Sequence, residues 1–300
     1  MKKIIIAFAI CFSFNFNISA QEVFRIKNVA TNTYLLLNNG NLTVSQDDDE
    51  SAAAIWHFLI RENGEYRFKN HEDGSYLNIE NEQLQSSSIE HHWWSPLWAV
   101  ENVPGTNYIR IRSIWKATRY LNMQNGLACT DIQSDWQSAL WEKEAVDPSL
   151  VYDPNANILN AQKALDAHNI LRAEVGVPAL EWSEDLAFKA QLWADKVARK
   201  NGGMRIVLEH GDSGENIASG FVTGDPPETR IFNGWGENEK PNFNPATRKC
   251  YEGKVCGHYT QIVWRKTTKV GCGVGVNKNG EYILVCNYDP KGNFNREAAF

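Results

Sequence analysis

Apolar residues are spaced along this chain in three ways, and each predicts a different kind of element. Near the N-terminus an unbroken apolar run, Ile4 to Phe12, follows Lys2 and Lys3. Through the first half, short runs alternate apolar and polar side chains: FRIKN at 24–28, YRFKN at 66–70 and YIRIRS at 108–113. A period of two puts the apolar side chains on one face of a pleated strand, so these runs predict half-buried β-strands. In the second half the spacing lengthens. Ile158, Leu159, Leu165, Ile170 and Leu171 recur at helical spacing over 158–172. Leu186, Ala190, Trp193 and Val197 mark the buried stripe of a second helix, which Ser183 caps and which Glu184 and Asp185 open with negative charge at the positive end of its dipole. GVPALEW at 176–182 breaks the pattern between them with Gly and Pro. Further on, QIVW (261–264) and YILVC (282–286) read as core strands, and the stretch 270–286 reads as a hairpin turning at Asn279-Gly280.

The first half also repeats itself. Arg25, Arg67 and Arg110 are 42 and 43 residues apart. Nearly the same step separates Tyr34-Leu35, Tyr76-Leu77 and Tyr120-Leu121, and again Trp56, Trp98 and Trp141 within AAIW, SPLW and SALW. A period of this size also suits a propeller blade, but three blades do not close a propeller. Three short-stranded units of this length fit a β-trefoil, with one tryptophan per repeat packed into a shared core. The segment DPSLVYDPN, 147–155, carries two Asp-Pro steps and no periodic apolar pattern, and reads as a linker. The chain therefore divides into an all-β domain at 22–146, a linker at 147–157, and a domain of helices plus a small antiparallel sheet at 158–300, an α+β layered unit.

Charge and cysteine usage narrow the function classes. From Glu22 to Asp147 there are 18 acidic and 10 basic residues, whereas Pro148 to Phe300 holds 18 of each. With a net charge of −6 overall, the chain lacks the clustered Lys and Arg that nucleic-acid phosphates require, so no nucleic-acid partner is expected. The N-terminal order of lysines, apolar run and polar residues ending at Ala20 is that of a secretory signal peptide at 1–20, too short to span a membrane. Cleavage near Ala20 removes Cys11 and leaves five of the six cysteines in an exported, extracellular chain, where thiols pair. No later segment is apolar enough to be a transmembrane helix.

The triple repeat resembles the ricin-type β-trefoil, whose repeats often end in Gln-x-Trp; here the Gln position holds Ala54, Pro96 and Ala139. Sugar-binding members commonly carry Asp after the Tyr-Leu pair, where this chain has Leu36, Asn78 and Asn122. The resemblance implies carbohydrate recognition with Asn78 and Asn122 as the polar contacts, and Trp93, Trp94, Trp115 and Trp136 as candidates to stack on a sugar face.

Four strings in the second half, AHNILRAEVGVPALEW (167–182), EHGDSGENIA (209–218), GHYTQIVW (257–264) and LVCNYDPKGNF (284–294), resemble the CAP superfamily of cysteine-rich secretory proteins, venom antigen 5 and plant pathogenesis-related proteins. The resemblance implies a three-layer α-β-α sandwich and a cleft holding two histidines and two glutamates. His210, Glu215 and His258 occupy three of those positions. Glu239, four residues before Phe243, takes the fourth, with Glu237, two residues after Trp235, as the alternative. Imidazoles ligate a divalent metal, zinc for example, while carboxylates orient them or a bound water. Plant members also imply the disulfides Cys250–Cys256 and Cys272–Cys286, leaving Cys129 unpaired. His168 reads as a structural histidine. No Ser, Cys or Thr nucleophile accompanies a base in these strings, so acyl-enzyme chemistry has no agent. The expected function is a secreted binding protein: a trefoil that attaches to an extracellular glycan or protein, and a cleft that binds a divalent cation and a small apolar or lipid ligand. The alternative is a metal-dependent hydrolase, a peptidase, acting through Glu215 or Glu239.

Overall fold

The computed structural model describes residues 22–46, 51–61, 63–147, 158–199, 212–294 and 297–300. The predicted signal peptide, most of the predicted linker and His210 lie outside these residues.

Each of the three repeats folds into four strands. The first supplies β1 (Glu22–Asn28), β2 (Thr33–Asn38), β3 (Asn41–Ser45) and β4 (Ile55–Ile60); the second β5 (Tyr66–Asn70), β6 (Tyr76–Glu80), β7 (Gln83–Ser87) and β8 (Trp98–Asn102); the third β9 (Ile109–Ser113), β10 (Arg119–Asn122), β11 (Ala128–Asp131) and β12 (Trp141–Ala145). The outer strands of each repeat pair around a ring, β1–β4–β5–β8–β9–β12 and back to β1, so the barrel has no free edge. The inner pairs β2–β3, β6–β7 and β10–β11 form hairpins. This is a β-trefoil.

The recurring tryptophan explains why the repeat is visible in the sequence. Trp56, Trp98 and Trp141 are fully buried, and each indole Nε1–H donates at 2.9 Å to the carbonyl of the leucine in its repeat's Tyr-Leu pair: Leu35, Leu77 and Leu121. Each ring thus fills the core while its one polar atom is satisfied by the chain beside it. Asn28 and Asn70 bind one repeat to another: their amides donate to the carbonyls of Ser138 and Ala53, at 2.8 Å in each case. The third equivalent is Ser113, also buried.

In the second domain β13 (Glu181–Trp182), β17 (Lys269–Val276), β18 (Glu281–Asp289) and β14 (Gly214–Phe221) form one sheet in that order, while β15 (Phe243–Asn244) and β16 (Lys249–Cys250) pair separately. Helix α2 (Glu184–Arg199) packs on one face of the sheet, where Ala190, Ala194 and Val197 meet Ile217, Ile283 and Val285. On the other face lie α1 (Ala161–Glu174), α3 (Gly257–Ile262) and a π-helical segment, Arg230–Glu237, around Leu171, Trp235, Ile262, Val270 and Tyr288. The result is three layers, α-β-α.

Two local expectations are corrected. The QIVW stretch is not a strand: Gln261 and Ile262 end α3, and a short apolar run does not by itself separate a strand from a buried helical turn. Ile170 is not on the core face of α1 but 52% exposed. The buried stripe runs through Ala164, Leu165, Ala167, His168, Leu171 and Arg172, so two polar residues take core positions that pattern reading assigns to an apolar one. His168 donates through Nδ1 to the Ala164 carbonyl and accepts at Nε2 from the Tyr288 hydroxyl, at 2.7 and 2.8 Å. The Arg172 guanidinium donates to the carbonyls of Pro178, Ile262, Trp264 and Thr267, binding the α1 end to the chain after α3.

Candidate functional site

The site begins with the N-terminus of α3, where Glu239 and His258 meet. Glu239 follows the π-helical segment, and its Oε2 accepts from the main-chain N–H of His258 and Tyr259 at 3.0 and 3.2 Å. These are helix N–H groups that no carbonyl in the helix can satisfy, and a carboxylate suits both their hydrogen-bonding need and the positive end of the helix dipole. Its other oxygen, Oε1, is 2.6 Å from His258 Nδ1. A carboxylate acting as an acceptor puts the imidazole proton on Nδ1 and leaves the Nε2 lone pair directed away from Glu239. The indole of Trp235 stacks on the imidazole at 5.6 Å with 14° between the planes, fixing the ring's tilt. Glu237 points elsewhere: its carboxylate is 3.7 Å from Lys240 Nζ.

Glu215 enters from β14, half-buried, in register with Asn287 of β18. Its neighbour Asn216 is buried and donates to the His258 carbonyl and the Tyr288 hydroxyl, both at 3.1 Å. A buried polar path therefore runs from His168 through Tyr288 and Asn216 to the backbone of α3. Burial depresses His168 to about 4 and raises Tyr288 well above a normal phenol, so both are neutral members of that path. Sequence reading places Glu215 but not Asn216 or Arg172; both lie inside the quoted strings, and their role appears only when the strands and helices are brought together.

The disulfides are Cys250–Cys256 and Cys272–Cys286. The first closes the loop that leads into α3, ending two residues before His258; the second joins β17 to β18. Cys129 is a free, buried thiol that burial pushes up to about 12. Among the described residues His168, Cys272 and Cys286 lie close enough together to suggest a metal cluster, but both sulfurs are in the disulfide and both ring nitrogens are hydrogen-bonded, so no lone pair is left for an ion.

Asn78 and Asn122 are not where a sugar can reach them. Both are buried, and their amides donate within their own hairpins, Asn78 to the Tyr76 carbonyl and Ser87 Oγ, Asn122 to the Tyr120 carbonyl and Thr130 Oγ1. They hold β6 to β7 and β10 to β11. The first repeat places Leu36, also buried, at the same position, so the role there is packing. Among the described residues the tryptophans open to solvent are Trp94 and Trp115.

A closed three-repeat barrel followed by an α-β-α sandwich with a carboxylate-held histidine defines a ricin-like trefoil joined to a CAP domain. Residues 165–288 match the cysteine-rich secretory protein family, and residues 12–94 match the family described as ricin-type β-trefoil lectin domain-like. Pathogenesis-related protein 1A of Nicotiana tabacum is 39% identical over 155 residues, which are 50% of this chain and 88% of the relative. The chain belongs to the cysteine-rich secretory protein family. Among solved structures, the Schistosoma mansoni venom allergen-like protein 4 is 26% identical over 44% of this chain and 89% of its own, with a TM-score of 0.35. A second, SeviL solved bound to the asialo-GM1 saccharide, is 22% identical over 42% and 99%, with a TM-score of 0.37.

Proposed function

We propose that this is a secreted binding protein whose CAP cleft takes one divalent cation, of zinc type, through His258 Nε2 and His210, with Glu239 and Glu215 as partners, and whose trefoil recognises carbohydrate. The observation that carries the cation reading is the His258–Glu239 pair. A metal-binding histidine usually gives its second N–H to a carboxylate or carbonyl, which sets the tautomer and raises the basicity of the free nitrogen. His258 has that arrangement, and its Nε2 has no hydrogen-bond partner among the described residues. Two imidazoles do not complete a tetrahedral site, so water fills the remaining positions, as in open rather than structural zinc sites. Bound zinc would polarise such a water. Because Glu239 already accepts three hydrogen bonds, a peptidase reading would rest the proton-accepting role on Glu215.

Calorimetric titration with zinc tests the reading. Wild-type chain binds one equivalent; His258→Ala and His210→Ala each lose at least tenfold in affinity. Unchanged affinity in both variants overturns it. Zinc-dependent peptide cleavage that vanishes in Glu215→Gln would favour the hydrolase instead. For the trefoil, the family match supports carbohydrate as the ligand class, and the open indole of Trp115, on the loop after β9, is the contact to test. A glycan array should show binding by the full chain that Trp115→Ala removes.

A further inference from the structure

The trefoil and the CAP domain meet along α2, and a cleft of about 540 Å³ opens between them. That is within the usual range of small-ligand pockets, about 300–1,000 Å³. The walls are held together by a few side chains. Arg61 forms a two-pronged contact with Asp185, 2.9 Å at each prong, and its third nitrogen donates to Glu65. Tyr76 meets Phe188 edge-to-face at 5.8 Å.

Two further cations line the same cleft, and their situation differs from that of Arg61. Arg67 is 3% exposed and Lys189 6%, yet neither is in an ion pair with any described carboxylate. Arg67 lies over the Phe188 ring at 4.0 Å and gives Nη2–H to the His91 carbonyl, while its buried Nε has no partner among the described residues. Among the described residues Lys189 Nζ donates to Ser213 Oγ alone, at 2.6 Å. Burying two cations in one cleft with no direct ion pair to either is costly, and an anion received by both would offset part of that cost. Desolvation and the Arg61 charge lower Arg67 to about 10 although Asp185 and Glu65 pull it upward, and desolvation together with the Lys189, His92 and Arg67 charges lowers His91 to about 4. Glu65 and Asp185 raise Arg67 from a distance, but their direct ion pairs are with Arg61. Asp212 and Asp289, exposed at the edge, remain as acceptors for hydroxyl groups. At the mouth stands Trp94, 64% exposed, a flat apolar face beside the charged wall.

We propose that this interdomain cleft binds an acidic saccharide, whose carboxylate is received by Arg67 and Lys189 and whose sugar ring lies on the indole of Trp94. The three features match that ligand class: paired donors for a carboxylate, acceptors for hydroxyls, and an aromatic plane for the C–H face of a pyranose. The site is separate from His258 and from Trp115, and the proposal does not rest on either reading.

The experiment is calorimetric titration of the full chain with trigalacturonic acid, sialyllactose and a hyaluronan tetrasaccharide, with methyl-esterified trigalacturonate as the neutral control. At least one acidic saccharide binds, and its affinity falls at least tenfold in Trp94→Ala and in Lys189→Gln, both of which keep the wild-type unfolding temperature; Trp115→Ala leaves it unchanged. If trigalacturonate is the ligand, esterification also costs at least tenfold. The proposal is overturned if none of the three binds, if the ester binds as well as the acid, or if Trp115→Ala abolishes binding that Trp94→Ala and Lys189→Gln leave intact. The last result would assign the sugar to the trefoil surface and support the trefoil reading alone.

Discussion

Histidine serves three different ends in this chain, and the surroundings of each ring decide which. His258 is one-third exposed, with a carboxylate on one nitrogen and the other nitrogen open. His168 is wholly buried with both nitrogens bonded. His57 is largely buried, and its Nε2 is 2.9 Å from His71 Nδ1. Desolvation depresses both His57 and His168 from the ordinary 6.5 to about 4, and for His57 the charge of His71 adds to it. Between these two values the unfolded chain binds protons that the folded chain refuses. The stabilising contribution is therefore present above pH 6.5 and is lost as pH falls toward 4, by about 3 kcal/mol for each ring. Urea unfolding at a series of pH values should show stability dropping over that window; a flat profile from pH 7 to 4.5 would contradict the burial of these two rings.

At the scale of elements, the position of α2 depends on side chains that β17 lacks. Gly271, Gly273 and Gly275 face the helix, and a Cβ on any of them would run into its main chain: at Gly273, into Ala190 and Gln191. Gly273→Ala should cost about 1–3 kcal/mol through the displacement it forces, read as a lowered urea midpoint with an unchanged slope. The alternation of those glycines with Cys272, Val274 and Val276 is legible as a strand, but not the helix pressed against the glycine side, because an empty position names no neighbour. The trefoil was legible for the opposite reason. Trp56, Trp98 and Trp141 are large, rare residues with one hydrogen-bond donor each, so threefold geometry left a threefold mark in the chain. Asn78 and Asn122 show the limit of that reading. Their spacing after Tyr-Leu is correct, yet a polar side chain in a hairpin serves strand pairing as well as a ligand, and only burial separates the two uses. For the CAP site, GHYTQIVW located His258, while the choice of Glu239 over Glu237 turns on which carboxylate reaches the α3 N–H groups, a matter of three-dimensional placement.

Taken whole, the molecule is two ready-made folds with different cores, one barrel sealed by tryptophans and one sheet covered on both faces, joined at α2 by Arg61–Asp185, Lys69–Asp195 and the Tyr76–Phe188 contact. No described helix is long and apolar enough to cross a membrane. Glu215 lies on β14, Glu239 two residues beyond the π-helical segment, and His258 in α3, so a cation site built on them would depend on the sandwich and not on any single loop. The Cys250–Cys256 bridge braces the approach to α3, and a loop this short contributes about 2 kcal/mol in the chain-entropy account. The fold should consequently persist without metal. The central claim is that the nitrogen of His258 turned away from Glu239 is a cation ligand, and anomalous diffraction at the zinc edge from zinc-soaked crystals tests it most directly. The account predicts one peak per chain about 2.1 Å from His258 Nε2, with Glu239 still on Nδ1. Zinc found elsewhere on the chain, with none at His258, would contradict it.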